Sequence, residues 1–239
     1  MNIAIIFAGG TGIRMNSVAQ PKQFLQLYGK EIIVHTIENF ENHTEIDGIV
    51  VVCIEDWIPF LKTLLGKYSI GKVRWIVPGG ETGQESIYLG LSAVKDVVPD
   101  DSVILIHDGV RPLITKKLIS DCIASVITHG NAITVTPEIE TVVSIDNNGK
   151  ITTITDRSNC FHAKAPQCFR FFDIWRGHTL ARGDGFTNMI DSASLMKHYG
   201  YELYTVQGNY ENIKITTASD FYVFRALYEA RENSQVFGI

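Results

Sequence analysis

The sequence predicts an α/β fold: a doubly wound, mostly parallel Rossmann-like sheet with a protruding β-hairpin arm. Three observations lead there. Short, wholly apolar runs recur along the chain, longer stretches with apolar residues at helical spacing lie between them, and Asn148-Gly149 separates two alternating segments. Continuously apolar strands suit a parallel sheet covered on both faces. Strand–helix alternation implies βαβ units. Asn-Gly between alternating segments signals a hairpin.

Taken in order, Ile3 to Phe7 is a strand of β-branched and aromatic residues, and Ile49 to Ile54, Val73 to Val77, Val103 to Ile106 and Ala132 to Thr136 repeat the pattern. Helices are predicted at Ile32 to Phe40, Trp57 to Tyr68, Ser86 to Val94 and Lys116 to His129. In the last of these, Leu118, Ile119, Cys122, Ile123 and Val126 form one stripe. The pattern then changes. Glu138 to Thr155 reads as the hairpin, the centre of an arm at about 137–160. A two-stranded ribbon is marginal alone, so the arm is expected to pack on something, a second subunit included. A loop through Ala165-Pro166-Gln167 comes next. Helices near Phe172 to Leu180 and Asp191 to His198, a strand near Glu202 to Val206 and a helix near Ser219 to Arg231 complete the reading, with NSQVFGI as a frayed tail.

Composition narrows the function. The 239 residues suit a single domain, 1–239, without internal repeats. A net charge of -5 gives no general attraction to nucleic acid. No apolar run approaches the ~20 residues that span a bilayer, and MNIAIIFAGG lacks the basic start of a signal peptide. A cytoplasmic protein with no nucleic-acid or membrane partner is expected. Cys53, Cys122, Cys160 and Cys168 lack zinc spacing and read as free thiols.

The chemistry begins at AGGTGIRM, directly after the first strand. Ligands of open α/β sheets bind outside the carboxyl ends of the strands. Glycines there let backbone N–H groups approach a phosphate. The loop is not a dinucleotide fingerprint, because Met15 stands where the third glycine belongs, and no Gly-Lys-Ser/Thr makes it a Walker loop. By itself it is either a phosphate loop or a strand–helix turn. Arg14 and Lys22 bracket the segment that leaves the glycines. Two fixed cations suit a triphosphate whose pyrophosphate leaves, although surface cations are commonly only solvated.

AGGTGIRM, PKQFLQLYGKEIIVHTIENF, the Gly79 to Ser86 segment, HDGVRP, DRSNCFHAKAPQCF and ENIKITTASDF occur in one order over nearly the whole chain. Together they resemble the methylerythritol phosphate cytidylyltransferases and the closely related ribitol-5-phosphate cytidylyltransferases. The resemblance implies one nucleotidyltransferase domain, CTP as substrate, Mg²⁺ as cofactor and a homodimer formed through the arm. By position it implies that Ala8, Gly9, Gly10 and Gly12 line the nucleotide loop. Gly80, Glu81 and Ser86 meet the cytosine and ribose side, and Asp108 with Gly109 lies near the triphosphate, Asp108 also at the metal. Arg14, Lys22, Arg157 and Lys214 are the implied catalytic cations. Arg111, Thr141, Arg157 and Asp191 are implied on the acceptor side, with Asp191 alternatively a helix cap. His107, beside Asp108, reads as structural, because a phosphomonoester dianion needs no base to attack.

Three positions depart from the family pattern: Gly83 replaces an arginine, Ala165 replaces the threonine of Thr-Pro-Gln, and Ile190 replaces the threonine of Thr-Asp. The phosphate cations survive while groups tied to acceptor hydroxyls change. The expected activity is transfer of CMP from CTP to a polyol phosphate with release of pyrophosphate. Ribitol 5-phosphate or a related polyol phosphate, serving a teichoic acid or capsule polymer, is favoured. 2-C-Methyl-D-erythritol 4-phosphate, serving isoprenoid synthesis, is the alternative acceptor. A nucleotide-binding relative without turnover is the alternative of another class.

Overall fold

The computed structural model describes residues 1–9 and 20–237, with the side chains of 234–237 left aside. The strands are β1 (Asn2–Ala8), β2 (Gln26–Leu27), β3 (Lys30–Glu31), β4 (Gly48–Cys53), β5 (Val73–Pro78), β6 (Val103–Asp108), β7 (Asn131–Pro137), β8 (Val143–Ile145), β9 (Ile151–Ile154), β10 (Phe161–Arg170) and β11 (Thr205–Gln207). The helices are α1 (Ile32–Glu41), α2 (Ile58–Lys67), α3 (Gly83–Ser92), α4 (Lys116–His129), α5 (Phe171–Gly183), α6 (Ser192–His198) and α7 (Ala218–Phe237).

Seven strands form the central sheet in the order β11-β7-β10-β6-β1-β4-β5. β1 runs parallel to β4 and β6, β4 to β5, and β7 to β11. Alternate residues feed cores on opposite faces: Ile3, Ile5, Val50, Val52, Ile104 and Ile106 on one, Ala4, Ile6, Ile49, Val51, Val103 and Leu105 on the other. Two buried faces are why these strands read as unbroken apolar runs. Helix boundaries have local causes. The Thr82 and Thr115 hydroxyls accept from the Glu85 and Leu118 amides and start α3 and α4. Gly130, at φ 87°, ends α4 in the left-handed region.

Four expectations are corrected. The supposed loop through Ala165-Pro166-Gln167 lies inside β10, a central strand antiparallel to both β6 and β7. A proline there argues against a central strand. It is tolerated because pairing with β7 jumps from Ala163 to Gln167, so no ladder bond is asked of Pro166. α3 begins three residues before Ser86, at its Thr82 cap. The strand near 202–206 contracts to Thr205–Gln207, and α7 continues through most of the expected tail to Phe237.

The arm is the hairpin β8–β9. Asp146 Oδ1 accepts from the Asn148 and Lys150 amides at 2.9 and 3.0 Å and shapes the turn. Every residue of β8 and β9 is exposed, so among the described residues neither face of the hairpin is buried. Among the described residues, no helix is long and apolar enough to cross a membrane.

Candidate active site

β1 and β6 are parallel neighbours in which Phe7 pairs with Asp108, so both end at one sheet edge. The Gly109 amide donates to the Phe7 carbonyl at 3.0 Å. A Cβ on Gly109 would come within 2.8 Å of Ala8 Cβ, so glycine is what lets the two strand ends close up. That edge is where an open α/β sheet binds ligands.

Asp108 is the centre of the edge. Its Oδ2 accepts from Arg111 Nε at 2.7 Å and its Oδ1 meets Lys214 Nζ at 2.6 Å. Burial alone would raise the Asp108 carboxyl, but Arg111 and Lys214 hold it well below the ordinary carboxylate range. Lys214 arrives on the segment after β11, which docks through the Ile215 amide on the Val110 carbonyl at 3.0 Å. Asn212, fully buried, ties this segment to β10: its Nδ2 donates to the Ala165 carbonyl at 2.7 Å, and its own carbonyl accepts from Arg111 Nη1 at 2.9 Å. Three distant stretches of chain thus fix one carboxylate between two cations. His107 Nε2 lies 3.1 Å from the Arg111 carbonyl, and burial pushes its pKa down to about 4. It is a neutral structural group at neutral pH.

Across the edge, the Gly9 and Gly79 backbones pack so closely that a Cβ on Gly79 would lie 3.1 Å from Gly9 Cα. Ser86 Oγ accepts from the Gly80 amide at 3.1 Å, and the Glu85 carboxylate accepts from the Glu81 amide at 2.9 Å. Gly80, Glu81 and Ser86 therefore share one turn at the start of α3. A third wall is the loop before α6. Asp191 caps that helix through the Ser194 amide at 2.8 Å and accepts from Gln167 Nε2 at 2.8 Å. Of the two roles expected for Asp191, the contacts present are those of the cap. Gln84 pins the same loop, donating to the Phe186 carbonyl and accepting from the Met189 amide.

The strand ends at Phe7 and Asp108, the start of α3 at Gly83 and Gln84, β10 and the loop before α6 bound a cleft of about 440 Å³, which Ala8, Gly9, Gly80, Glu81, Ser86 and Gly109 do not line. Asp108, Arg111, Asp191 and Lys214 line it, and so do Gly83, Ala165 and Ile190. Thr141 and Arg157 do not; both are exposed on the arm, Arg157 in a short turn at its base where Nη1 faces the Ile139 carbonyl. Lys22 opens the 3-10 turn Lys22–Phe24, and its positive charge helps hold the Asp220 carboxyl of α7 low against burial, alongside the Thr217 and Thr216 amides. Gly10, Gly12 and Arg14 lie outside the described residues.

Sequence reading did not single out Gln84, Lys164, Gln167 or Asn212. The signal was present for Asn212, which precedes Lys214 in the same motif, and for Lys164, a cation set in the apolar run AKAPQCF. No cluster of three or more metal-binding side chains gathers among the described residues. The donor set still fits Mg²⁺, which is held by one or two carboxylates plus substrate phosphates rather than by a protein cage. Asp108 retains acceptor capacity beyond its two partners.

A sheet edge with a glycine turn, a buried carboxylate and converging cations suits the nucleotidyltransferase class. The family model for "IspD: 2-C-methyl-D-erythritol 4-phosphate cytidylyltransferase" matches residues 2–229. A ribitol-5-phosphate cytidylyltransferase of Vibrio parahaemolyticus is 51% identical over 238 residues, covering 100% of both chains. A 2-C-methyl-D-erythritol 4-phosphate cytidylyltransferase of Clostridium novyi is 37% identical, covering 95% of this chain and 96% of its own. The solved 4-diphosphocytidyl-2C-methyl-D-erythritol synthase of Anaerococcus prevotii superposes with a TM-score of 0.81 at 28% identity, covering 95% and 96% of the two chains. The chain belongs to the 2-C-methyl-D-erythritol 4-phosphate cytidylyltransferase family, whose members are nucleotidyltransferases.

Proposed function

We propose that this chain transfers CMP from CTP to ribitol 5-phosphate. The carrying observation is that all three departures from the family pattern, Gly83, Ala165 and Ile190, line the cleft that also holds Asp108, Arg111 and Lys214. Scattered drift would have no reason to converge there. A Cβ on Gly83 would meet nothing within 4 Å, so the position has room for a larger side chain that this sequence does not place there. The name of the 51% identical relative supports the same acceptor. The family model supports 2-C-methyl-D-erythritol 4-phosphate as the second reading.

In the reaction, an oxygen of the acceptor phosphate attacks the α-phosphorus of CTP. A new P–O–P bond forms, the bond to the β-phosphate oxygen breaks, and pyrophosphate departs with the electron pair. The attacking oxygen is already ionised, and His107 is too buried and too weakly basic to be needed. Lys214 stands at the cleft with Asp108, and Arg14 and Lys22 come after the glycine turn in sequence; such cations neutralise charge that grows in transfer. Mg²⁺ bound by Asp108 and the triphosphate would add Lewis-acid neutralisation of the phosphate oxygens.

The arm supports a homodimer. Val143, Ile145, Ile151 and Ile154 are exposed on a ribbon that is marginal alone, and a second copy is the partner that covers them. The arm carries Thr141 and Arg157 towards that copy. Dependence on CTP suits a cytoplasmic site of action. The test is mass spectrometry of the product from CTP, Mg²⁺ and ribitol 5-phosphate. CDP-ribitol with stoichiometric pyrophosphate is expected, and Gly83→Arg, Ala165→Thr and Ile190→Thr should each depress its formation. No product from ribitol 5-phosphate would overturn the assignment.

A further inference from the structure

Among the described residues, three cations line the cleft: Arg111, Lys164 and Lys214. Two of them meet Asp108. Lys164 alone of the three has no carboxylate within ion-pair distance among the described residues; its Nζ donates to the Tyr210 carbonyl at 3.1 Å. It is half-buried, on the wall formed by β10. Alternation would turn neighbours at 164 and 165 to opposite faces. The irregular pairing between Ala163 and Gln167 breaks that alternation, so Lys164, Ala165 and Gln167 all line the cleft. Gly79, Gly80 and Glu81 do not line this cleft, whereas the β10 wall carries Ala165 and is bonded through Gln167 to Asp191, the neighbour of Ile190.

We infer that Lys164 is a substrate-binding residue that holds the phosphomonoester of the acceptor. This rests on the transferase reading. An ammonium held in a half-buried cleft beside Arg111 has lost hydration and meets like charge, and both depress its pKa more than Glu211 restores it. An arriving phosphate dianion relieves both penalties, and its acceptor oxygens match what the ammonium now takes from one backbone carbonyl. Because the Tyr210 carbonyl is an exchangeable partner, the side chain can swing to the phosphate without leaving a buried cation unpaired.

The test compares wild type with Lys164→Met and Lys164→Arg under steady-state turnover of CTP and ribitol 5-phosphate. Lys164→Met should raise the acceptor KM roughly ten- to hundredfold, the range of one charge-assisted hydrogen bond. The KM for CTP and kcat should stay within about threefold, which separates binding of the acceptor from a general structural effect. Lys164→Arg, which keeps the charge, should recover most of the loss. An unchanged acceptor KM in Lys164→Met, or a rise confined to CTP, would overturn the inference; the second result would give Lys164 to the nucleotide. If wild type turns over no polyol phosphate, the transferase reading fails separately. Calorimetric titration with inorganic phosphate then decides: weaker binding by Lys164→Met sustains an anion site at Lys164, and equal binding removes it.

Discussion

Asp108→Asn keeps the side chain's shape and removes its charge, which tests the arrangement at the sheet edge. The Asp108 and Arg111 side chains are 7% and 12% exposed, so the substitution strands a guanidinium that water barely reaches. Removing one partner of a buried ion pair costs about 3–5 kcal/mol. Two features reduce that here. Lys214 is 42% exposed and can turn to water, so its share is small. Arg111 also keeps its bond to the Asn212 carbonyl. A loss of about 2–3 kcal/mol is expected, a fall in Tm of roughly 5–10 °C for a chain of this size. Urea denaturation at pH 7.5 without nucleotide measures it, with the m-value unchanged. The pH dependence checks the cause. A carboxyl held low in the fold contributes fully above its unfolded value of about 3.9 and loses that contribution as pH falls toward its folded value. The gap between wild type and Asp108→Asn should stay constant from pH 8 to 5 and close only below about pH 4. A loss under about 0.5 kcal/mol, or a gap already closing between pH 8 and 6, would refute the reasoning.

Other consequences can be checked alongside. Burial pushes His107 and His178 down to about 4, so both refuse protons that the unfolded chain accepts near 6.5. Stability should therefore fall by about 3 kcal/mol between pH 6.5 and 5, and His178→Phe should remove about half of that dependence in urea titrations at the two pH values. Asn212→Leu deprives the buried Ala165 carbonyl of its donor at a cost of about 1–3 kcal/mol. It should also lower kcat, because the segment carrying Lys214 loses its tie to β10. If the proposed homodimer forms through the arm, Ile145→Asp with Ile154→Asp should give a monomer in sedimentation velocity while leaving the far-UV spectrum intact.

The parallel strands were legible because burial on both faces leaves an unbroken apolar signature, as in IVVVC of β4. The hairpin was legible because Asn148-Gly149 is a local turn signal that needs no tertiary context. β10 was not legible. His162, Lys164 and Gln167 interrupt its apolarity, and Pro166 looks disqualifying until the skipped pairing with β7 is known. The site divides in the same way. Asp108, Arg111 and Lys214 stood in recognisable motifs, and the fold brings them together. Asn212, Gln84 and Gln167 act by holding segments some 24 to 105 residues away, and no pattern of spacing announces such bonds. Asp191 could be read two ways because capping and substrate contact ask for the same carboxylate at a helix start.

The central claim is the identity of the acceptor. The most direct measurement is pyrophosphate release from CTP and Mg²⁺ with ribitol 5-phosphate and 2-C-methyl-D-erythritol 4-phosphate assayed side by side, compared as kcat/KM. The account predicts a preference for ribitol 5-phosphate of at least about a hundredfold, because a site shaped for one set of hydroxyls leaves polar groups unpaired with the other. Equal rates, or preference for 2-C-methyl-D-erythritol 4-phosphate, would contradict it and make Gly83, Ala165 and Ile190 neutral changes in an isoprenoid enzyme.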